Sequence, residues 1–395
     1  MEKKKITAAV SAVCMMLAGT LPLMSAAAEE KAPATSGTFG ADVTWSYDTD
    51  AKTLTISGTG ATKDCYRGTV LDQPAPWAAF RSELAHVVVS EGITALGGGL
   101  FAQDYHLKSV KLPESLTTLG EGIFAECYAL SEINIPENLK VFGFNAFYET
   151  AWLKTQKATR RDQHAGGDHD YIILNNVLID AHDVAFFDGV ENCLPDAVTA
   201  IDCGAFSGME KPEKLNVTNT VRIGAFAFQD SNIKEITLGE KVKEIEDGAF
   251  YHCSARKITI YNPVCAICDD AGTIFAAKDP TAENCGTIAG YAGSTAQAYA
   301  EKFNYPFEEI DAGLTLTVGD WNNDLQIGLD DAQAVLKYYT DAFAGKTPLV
   351  AALQKTAADI NGDGAADVTD AQNILRYYTE NSVAGKKLDW KDILK

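Results

Sequence analysis

Basic side chains are scarce. Against 54 Asp and Glu, the 395-residue chain sets only 33 Lys and Arg, for a formal net charge of −21. That field repels polyanions, which excludes nucleic acid and the anionic membrane surface as first partners. It suits a divalent cation wherever carboxylates cluster. Long apolar runs are also lacking. After residue 28 none reaches the roughly 20 residues of a membrane span, so no membrane insertion is expected once the N-terminal segment is removed. Catalytic signatures are missing as well. There is no serine elbow, and Ser57–Gly60 and Gly97–Gly99 lack the strand-loop-helix setting of a phosphate loop. No paired catalytic carboxylates stand out. The one His/Asp cluster, His164, Asp168, His169 and Asp170, reads as a Gly-rich polar loop, with a metal site as the alternative. Cys265-x-x-Cys268 is half a zinc site without its second pair.

What is present is globular: 46% of residues are hydrophobic, and the length allows two or three domains. Residues 1–28 stand apart. Lys3, Lys4 and Lys5 precede an apolar run from Ile6 to Met24, and Ala26-Ala27-Ala28 follow. This predicts a secretory signal peptide, with an uncleaved anchor as the alternative. Export permits disulfides. Eight cysteines remain beyond the signal (Cys65, Cys127, Cys193, Cys203, Cys253, Cys265, Cys268, Cys285), and their pairing is open.

A repeat with a fixed ruler fills the middle of the chain. An apolar residue is followed five positions later by Phe at Leu96/Phe101, Leu119/Phe124, Phe142/Phe147, Ile201/Phe206, Ile223/Phe228 and Ile245/Phe250. Successive phenylalanines lie 23, 23, 59, 22 and 22 apart. Each unit also carries a short alternating strand, such as Val110-Lys111-Leu112 or Ile236-Thr237-Leu238. One unit cannot bury its apolar face, but a stack can, so the expected architecture is a β-rich solenoid. The outward strand residues would form a ladder of Val88, Lys111, Asn134, Cys193, Asn216, Thr237 and Thr259. That face is the expected binding surface, with a plain solvated sheet as the alternative. The 59-residue gap reads as one repeat with an insertion near 151–190, which includes a hairpin turning at Asn175-Asn176.

Segments such as Leu116-Thr117-Thr118-Leu119-Gly120-Glu121-Gly122-Ile123-Phe124, followed by Cys127 and Leu130, resemble the bacterial surface-type (BspA-like) leucine-rich repeat. Trp45, Leu54–Gly60 and Ala75-Pro76-Trp77 are similar to the strand-rich N-terminal cap of such arrays, and Gly290–Ala300 to their closing turn and helix. Cys127 and Cys253 occupy a repeat slot three residues after the phenylalanine and read as buried filler.

A second repeat, with a 39-residue offset, spans 320–339 and 359–378. Asp, Asn and Asp stand at loop positions 1, 3 and 5 and Asp at 12, which is calcium-loop spacing. Asp-Ala-Gln-x-x-Leu-basic-Tyr-Tyr follows both times and predicts a helix after each loop, with no clear helix before. The arrangement resembles a dockerin, the two-loop calcium module that plugs into a cohesin on a cellulosomal scaffold. The resemblance implies calcium ligands at Asp320, Asn322, Asp324 and Asp331 with the Gln326 carbonyl, and at Asp359, Asn361, Asp363, Asp367 and Asp370 with the Ala365 carbonyl. It implies cohesin contacts at Leu329, Asp330 and Lys337, and at Val368, Thr369 and Arg376. Leu325 replaces the expected Gly at position 6 of the first loop, and Gly328 offers no side chain at position 9, so the first of two calcium ions is expected to bind more weakly. Trp321 and Trp390 are candidate clasps at the module's ends.

The expected organisation is a signal peptide (1–28), a strand-rich cap (29–90), the repeat solenoid (91–312) and a small all-α dockerin (313–395). The expected function is that of a secreted, non-catalytic cellulosome component. Its solenoid would bind an unknown protein or polysaccharide, in support of polysaccharide catabolism or surface adhesion. The alternative is a dockerin-borne hydrolase, glycosidase or peptidase, with an unrecognised catalytic site.

Overall fold

The computed structural model describes residues 33–395 except 41, 66–73, 164–170, 182–191, 276–285 and 312. The signal segment, the His164–Asp170 cluster, Cys285 and the side chain of Cys193 lie outside the described residues.

The repeats wind as a parallel β-solenoid in two halves. In the first, Ser36–Thr38, Val43–Asp48 and Thr53–Gly58 pair antiparallel and form the cap. His86–Val89, Ser109–Lys111 and Glu132–Ile133 then continue the same sheet in parallel. Short strands at Ile93–Leu96, Thr118–Leu119 and Val141–Phe142 build the opposite wall. In the second half Lys214–Val217, Glu235–Leu238, Lys257–Ile260, Thr287–Gly290 and Phe307–Glu309 line one wall, and Ala200–Ile201, Arg222–Ile223, Glu244–Ile245 and Ala266–Ile267 the other.

The predicted phenylalanines are fully buried and form a ladder between the walls. Phe101, Phe124 and Phe147 stack at 5.7 and 6.0 Å, and Phe206, Phe228 and Phe250 at 4.8 and 4.9 Å. At the N-terminal end Trp77 lies over Phe101 at 5.8 Å. The Arg81–Asp104 ion pair (3.1 Å) joins this cap to the first repeat, and the Arg81 guanidinium also donates to the carbonyls of Leu100 and Ala102. At the other end helix α2 (Thr295–Phe303) closes the stack. Its N-terminus is capped by Ser294, whose Oγ accepts from the Gln297 N–H (3.3 Å).

The insertion is organised differently from the sequence expectation. It opens with helix α1 (Ala151–Gln163), unanticipated, whose Trp152 packs on Phe147 at 4.9 Å. Ile172–Leu174 and Val177–Asp180 then form the expected hairpin, with Asn175 and Asn176 both left-handed at its turn (φ 49° and 67°). The return strand is no mere excursion. It pairs parallel with Ala200–Ile201, placing Leu178 beside Ile201, so it is a rung of the solenoid itself. The Asn175 side-chain amide donates to the carbonyls of Pro136 and Leu139 (2.6 and 2.8 Å), which joins the halves.

The six described cysteines are free thiols. Cys127 and Cys253 are buried filler, as expected, and burial pushes the Cys127 thiol up to about 12, far from nucleophile range. Cys265 is fully buried, and among the described residues no zinc-like cluster forms around it.

Asp202 is buried beside Arg222 (3.4 Å), which also holds Glu246 (2.9 Å). Burial pushes the Asp202 carboxyl up to about 7 despite the guanidinium. Between about pH 4 and pH 7 the folded chain keeps a proton that the unfolded chain has released. The stabilisation is therefore complete at the acid end of this window and lost as pH rises through about 7. Asp202→Asn should remove that slope. Melting temperatures of variant and wild type across the window test it, and parallel curves would refute it.

After Phe307–Glu309 the chain enters a small helical module: α3 (Leu329–Phe343), α4 (Ala352–Ala358), α5 (Val368–Tyr378) and α6 (Trp390–Ile393). Its core is Trp321, Ala332, Val335, Ala358, Ile360, Ala371 and Ile374. The second loop does have a helix before it, α4, contrary to expectation; its ALQKTAA sequence carries no N-cap side chain to mark it.

Candidate metal centre and docking face

Two acidic loops precede α3 and α5, and the backbone N–H bonds to their position 1, 3 and 12 side chains repeat from one loop to the other. In the first, the N–H groups of Asp324 (3.1 Å) and Leu325 (2.9 Å) donate to the two carboxylate oxygens of Asp320. In the second, those of Asp363 (3.0 Å) and Gly364 (2.9 Å) donate to Asp359. Asn322 and Asn361 accept through Oδ1 from the same Asp324 and Asp363 N–H groups. Asp331 Oδ1 accepts from the N–H groups of Trp321 and Asn322, and its Oδ2 from that of Gly328. Asp370 does the same with Ile360, Asn361 and Asp367. Backbone amides thus fix the orientation of carboxylates at positions 1 and 12 of both loops, which is how a turn presents oxygens inward.

The charge is uncompensated. Asp320, Asp331 and Asp370 are 0% exposed, and none forms an ion pair with a described residue. Burial raises all three carboxyls above the ordinary range, opposed by the loop N–H bonds. Buried carboxylates without cationic partners are costly, and a hard divalent cation is the chemistry that offsets them. Among the described residues no group of three or more His, Cys, Asp or Glu side chains is gathered closely enough to hold a metal ion by itself. The amide oxygens of Asn322 and Asn361 stand beside the carboxylates, and an all-oxygen donor set of this kind would fit calcium better than a transition metal.

The loops differ where the sequence said they would. Leu325 takes the left-handed turn (φ 69°) that Gly364 takes in the second loop (φ 91°). A side chain in that conformation costs about 1–2 kcal/mol, and Leu325 is 82% exposed, so it gains nothing from packing. Gly328 supplies only its N–H, whereas its counterpart Asp367 adds a carboxylate that accepts from the Thr369 N–H (2.7 Å).

The expected docking residues flank these loops. Leu329, Asp330, Lys337, Thr369 and Arg376 are exposed, and Val368 is half-buried. Asp330 accepts from the Asn322 amide (2.6 Å), and Arg376 donates to the Ile393 carbonyl. Sequence reasoning missed Leu336, Phe343 and Leu375, which are also exposed; Phe343 is 84% exposed. Leu329, Leu336 and Phe343 recur every seven residues, an outer apolar stripe that runs beside the buried Ala332 and Val335. Leu375 repeats Leu336 at the 39-residue offset. The stripes differ at their ends, where Ser382 stands in place of Phe343. Trp390 stacks on Tyr377 (4.3 Å) and leans on Gly319, closing the module's two ends, while Trp321 lies in its core against Tyr338 (5.5 Å).

On the solenoid the expected ladder is uneven. Lys111 is exposed, and Val88, Asn216 and Thr237 are half-buried. Asn134 is exposed, but its amide is bound to the Leu112 N–H and carbonyl (2.8 and 2.9 Å). Thr259 stands in register with Thr237 but is 8% exposed, so it offers almost no surface there. A cavity of about 440 Å³ opens at the break between the halves, against Phe144, Tyr148, Leu153, Lys157, Ile179 and Asp180. Sequence periodicity had no means of showing it, because the insertion builds it.

Comparison with known proteins places these features. Six copies of the BspA type leucine rich repeat region match residues 78–161 and 186–272. The dockerin type I domain matches residues 318–378. Among solved structures, a leucine-rich repeat protein from Eubacterium ventriosum is 20% identical, over 58% of this chain and 79% of that one, with a TM-score of 0.27. A leucine rich cell surface protein from Faecalibacterium prausnitzii is 15% identical, over 72% and 96%, with a TM-score of 0.31. No curated protein matches.

Proposed function

Since the chain combines BspA-type leucine-rich repeats with a type I dockerin domain, we propose that it is a non-catalytic component of an extracellular cohesin-based assembly, in which the dockerin docks and the solenoid binds. Repeats and dockerins are non-catalytic modules, and dockerins bind calcium and cohesins. No helix among the described residues is long and apolar enough to cross a membrane.

The carrying observation is the repetition, from one loop to the other, of the backbone hydrogen bonds around buried, uncompensated carboxylates. In this reading two calcium ions bind. Asp320, Asn322, Asp324, Asp331 and the Gln326 carbonyl hold one; Asp359, Asn361, Asp363, Asp367, Asp370 and the Ala365 carbonyl hold the other. Calcium supplies the positive charge that lets these turns close and α3 and α5 extend from them. The first site is the weaker, because Leu325 strains its turn and Gly328 lacks an oxygen. Leu329, Asp330, Leu336, Lys337 and Phe343 then meet the cohesin, or Val368, Thr369, Leu375 and Arg376 do so in the reversed orientation. The two sets are unlike, so one orientation dominates. Export by the N-terminal signal and a role for the solenoid in gripping polysaccharide or a cell surface complete the proposal.

Calorimetric titration of calcium, followed by a panel of cohesins, tests it. Two unequal binding events and one high-affinity cohesin are expected. Exchanging Leu329-Asp330 with Val368-Thr369 should change cohesin affinity about tenfold; an unchanged affinity would defeat the assignment of these contacts.

A further inference from the structure

Helix α4 meets three structures within seven residues. At its start, the Leu353 N–H donates to the Gly293 carbonyl (3.1 Å) in the closing turn of the solenoid. The Leu353 side chain lies so close that a Cβ on Gly293 would come within 3.1 Å of its Cγ. Leu349, just upstream, packs on the core of the second solenoid half. In its middle, Gln354 is 7% exposed and donates from Nε2 to the Trp321 carbonyl (3.1 Å), beside the first loop. At its end, the Ala357 carbonyl accepts from the Gly319 N–H (2.8 Å), and the chain passes from Ala358 straight into Asp359. Ala351, Ala357 and Ala358 are buried. A helix this short is not stable alone, so the surfaces it touches hold it in shape.

We propose that α4 is a calcium-controlled latch, and that the dockerin's second partner is the closing turn of its own solenoid. The proposal rests on the calcium reading of the second loop. Closing that loop around an ion fixes Asp359, and with it the last turn of α4. The ordered helix then presents Leu353 to the seat around Gly293, with Leu349 just upstream held on the solenoid core. With calcium the two modules move as one body, and the α3 and α5 stripes face a cohesin at a fixed angle to the solenoid. Without calcium α4 loses its C-terminal anchor, the seat opens, and the solenoid swings on the chain between Glu309 and Gly319. Because coupling is reciprocal, the seat must also tighten the second calcium site.

Two variants of the full chain test this from opposite sides. Gly293→Asn keeps the left-handed turn accessible (φ 72°) but sets a Cβ against Leu353. Leu353→Asp puts a charge on the seat. In excess calcium, small-angle scattering should show both variants expanded relative to wild type, and wild type should expand likewise on chelation. Calorimetry should show the tighter calcium event weakened about fivefold or more in both, with the weaker event unchanged. Variants that scatter like wild type and bind calcium equally well would overturn the latch while leaving the calcium reading intact. A wild-type chain that binds no calcium would overturn both.

Discussion

Asp370→Ala should leave the C-terminal module unfolded at any calcium concentration and abolish its hold on a cohesin. The side chain is fully buried and accepts from three backbone N–H groups, those of Ile360, Asn361 and Asp367. Alanine leaves the buried Ile360 N–H unsatisfied at about 1–3 kcal/mol, frees the part-buried Asn361 and Asp367 N–H groups that hold the loop closed, and removes a proposed metal ligand. The sum is comparable with the whole stability of a small domain, about 5 kcal/mol. Circular dichroism should show no gain of helix on adding calcium, and cohesin affinity should fall about a thousandfold or more. Asp331→Ala should be milder, because the first site contributes less. A variant Asp370→Ala that still folds around two ions would remove the second loop from the mechanism.

The solenoid's most vulnerable point is expected at Asp104, which is 0% exposed and pairs with a nearly buried Arg81. Asp104→Ala strands the guanidinium in the core between the cap and the first repeat. Breaking a buried pair from one side costs about 3–5 kcal/mol, which lowers the melting temperature of the first half by roughly 10 °C. Arg81→Met combined with Asp104→Leu removes both charges and should recover most of the loss, since buried pairs are often matched by apolar residues. Differential scanning calorimetry on the three variants decides. Equal losses in the single and double variants would mean that packing volume, not stranded charge, sets the cost.

Both loops and most of the ladder were legible in the sequence because they depend on spacing alone. A five-residue step from an apolar residue to phenylalanine specifies one turn of the solenoid, so the rungs from Phe101 to Phe250 follow from chain distance without knowledge of what pairs with what. Oxygen ligands on alternate residues likewise specify a loop. What stayed hidden depends on pairing across the chain. Leu178 becomes a rung only because it lies beside Ile201, and nothing around residue 178 carries the Phe signature. Thr259 satisfies the outward register yet is covered by its neighbours. Leu336 and Phe343 share a helix with Ala332 and Val335, and a single apolar-face reading could not separate the buried stripe from the exposed one. Helix α4 lacks an N-cap side chain and an amphipathic pattern long enough to be noticed; its shape is imposed by the surfaces it touches.

The hairpin between the two halves of the solenoid has a consequence for how the chain unfolds. Stacked repeats exchange stability only with their neighbours, as in a one-dimensional chain of coupled units. Here the coupling is uneven. Two large cores meet across the hairpin, through Leu174, Val177, Ile179 and Ala200, the Asn175 amide and the Lys157–Asp180 ion pair (2.9 Å). Rungs within either half melt together, whereas the boundary carries little cooperativity. The protein therefore behaves as two foldons in series. The first half, up to helix α1, is then expected to come apart while the second half keeps its form.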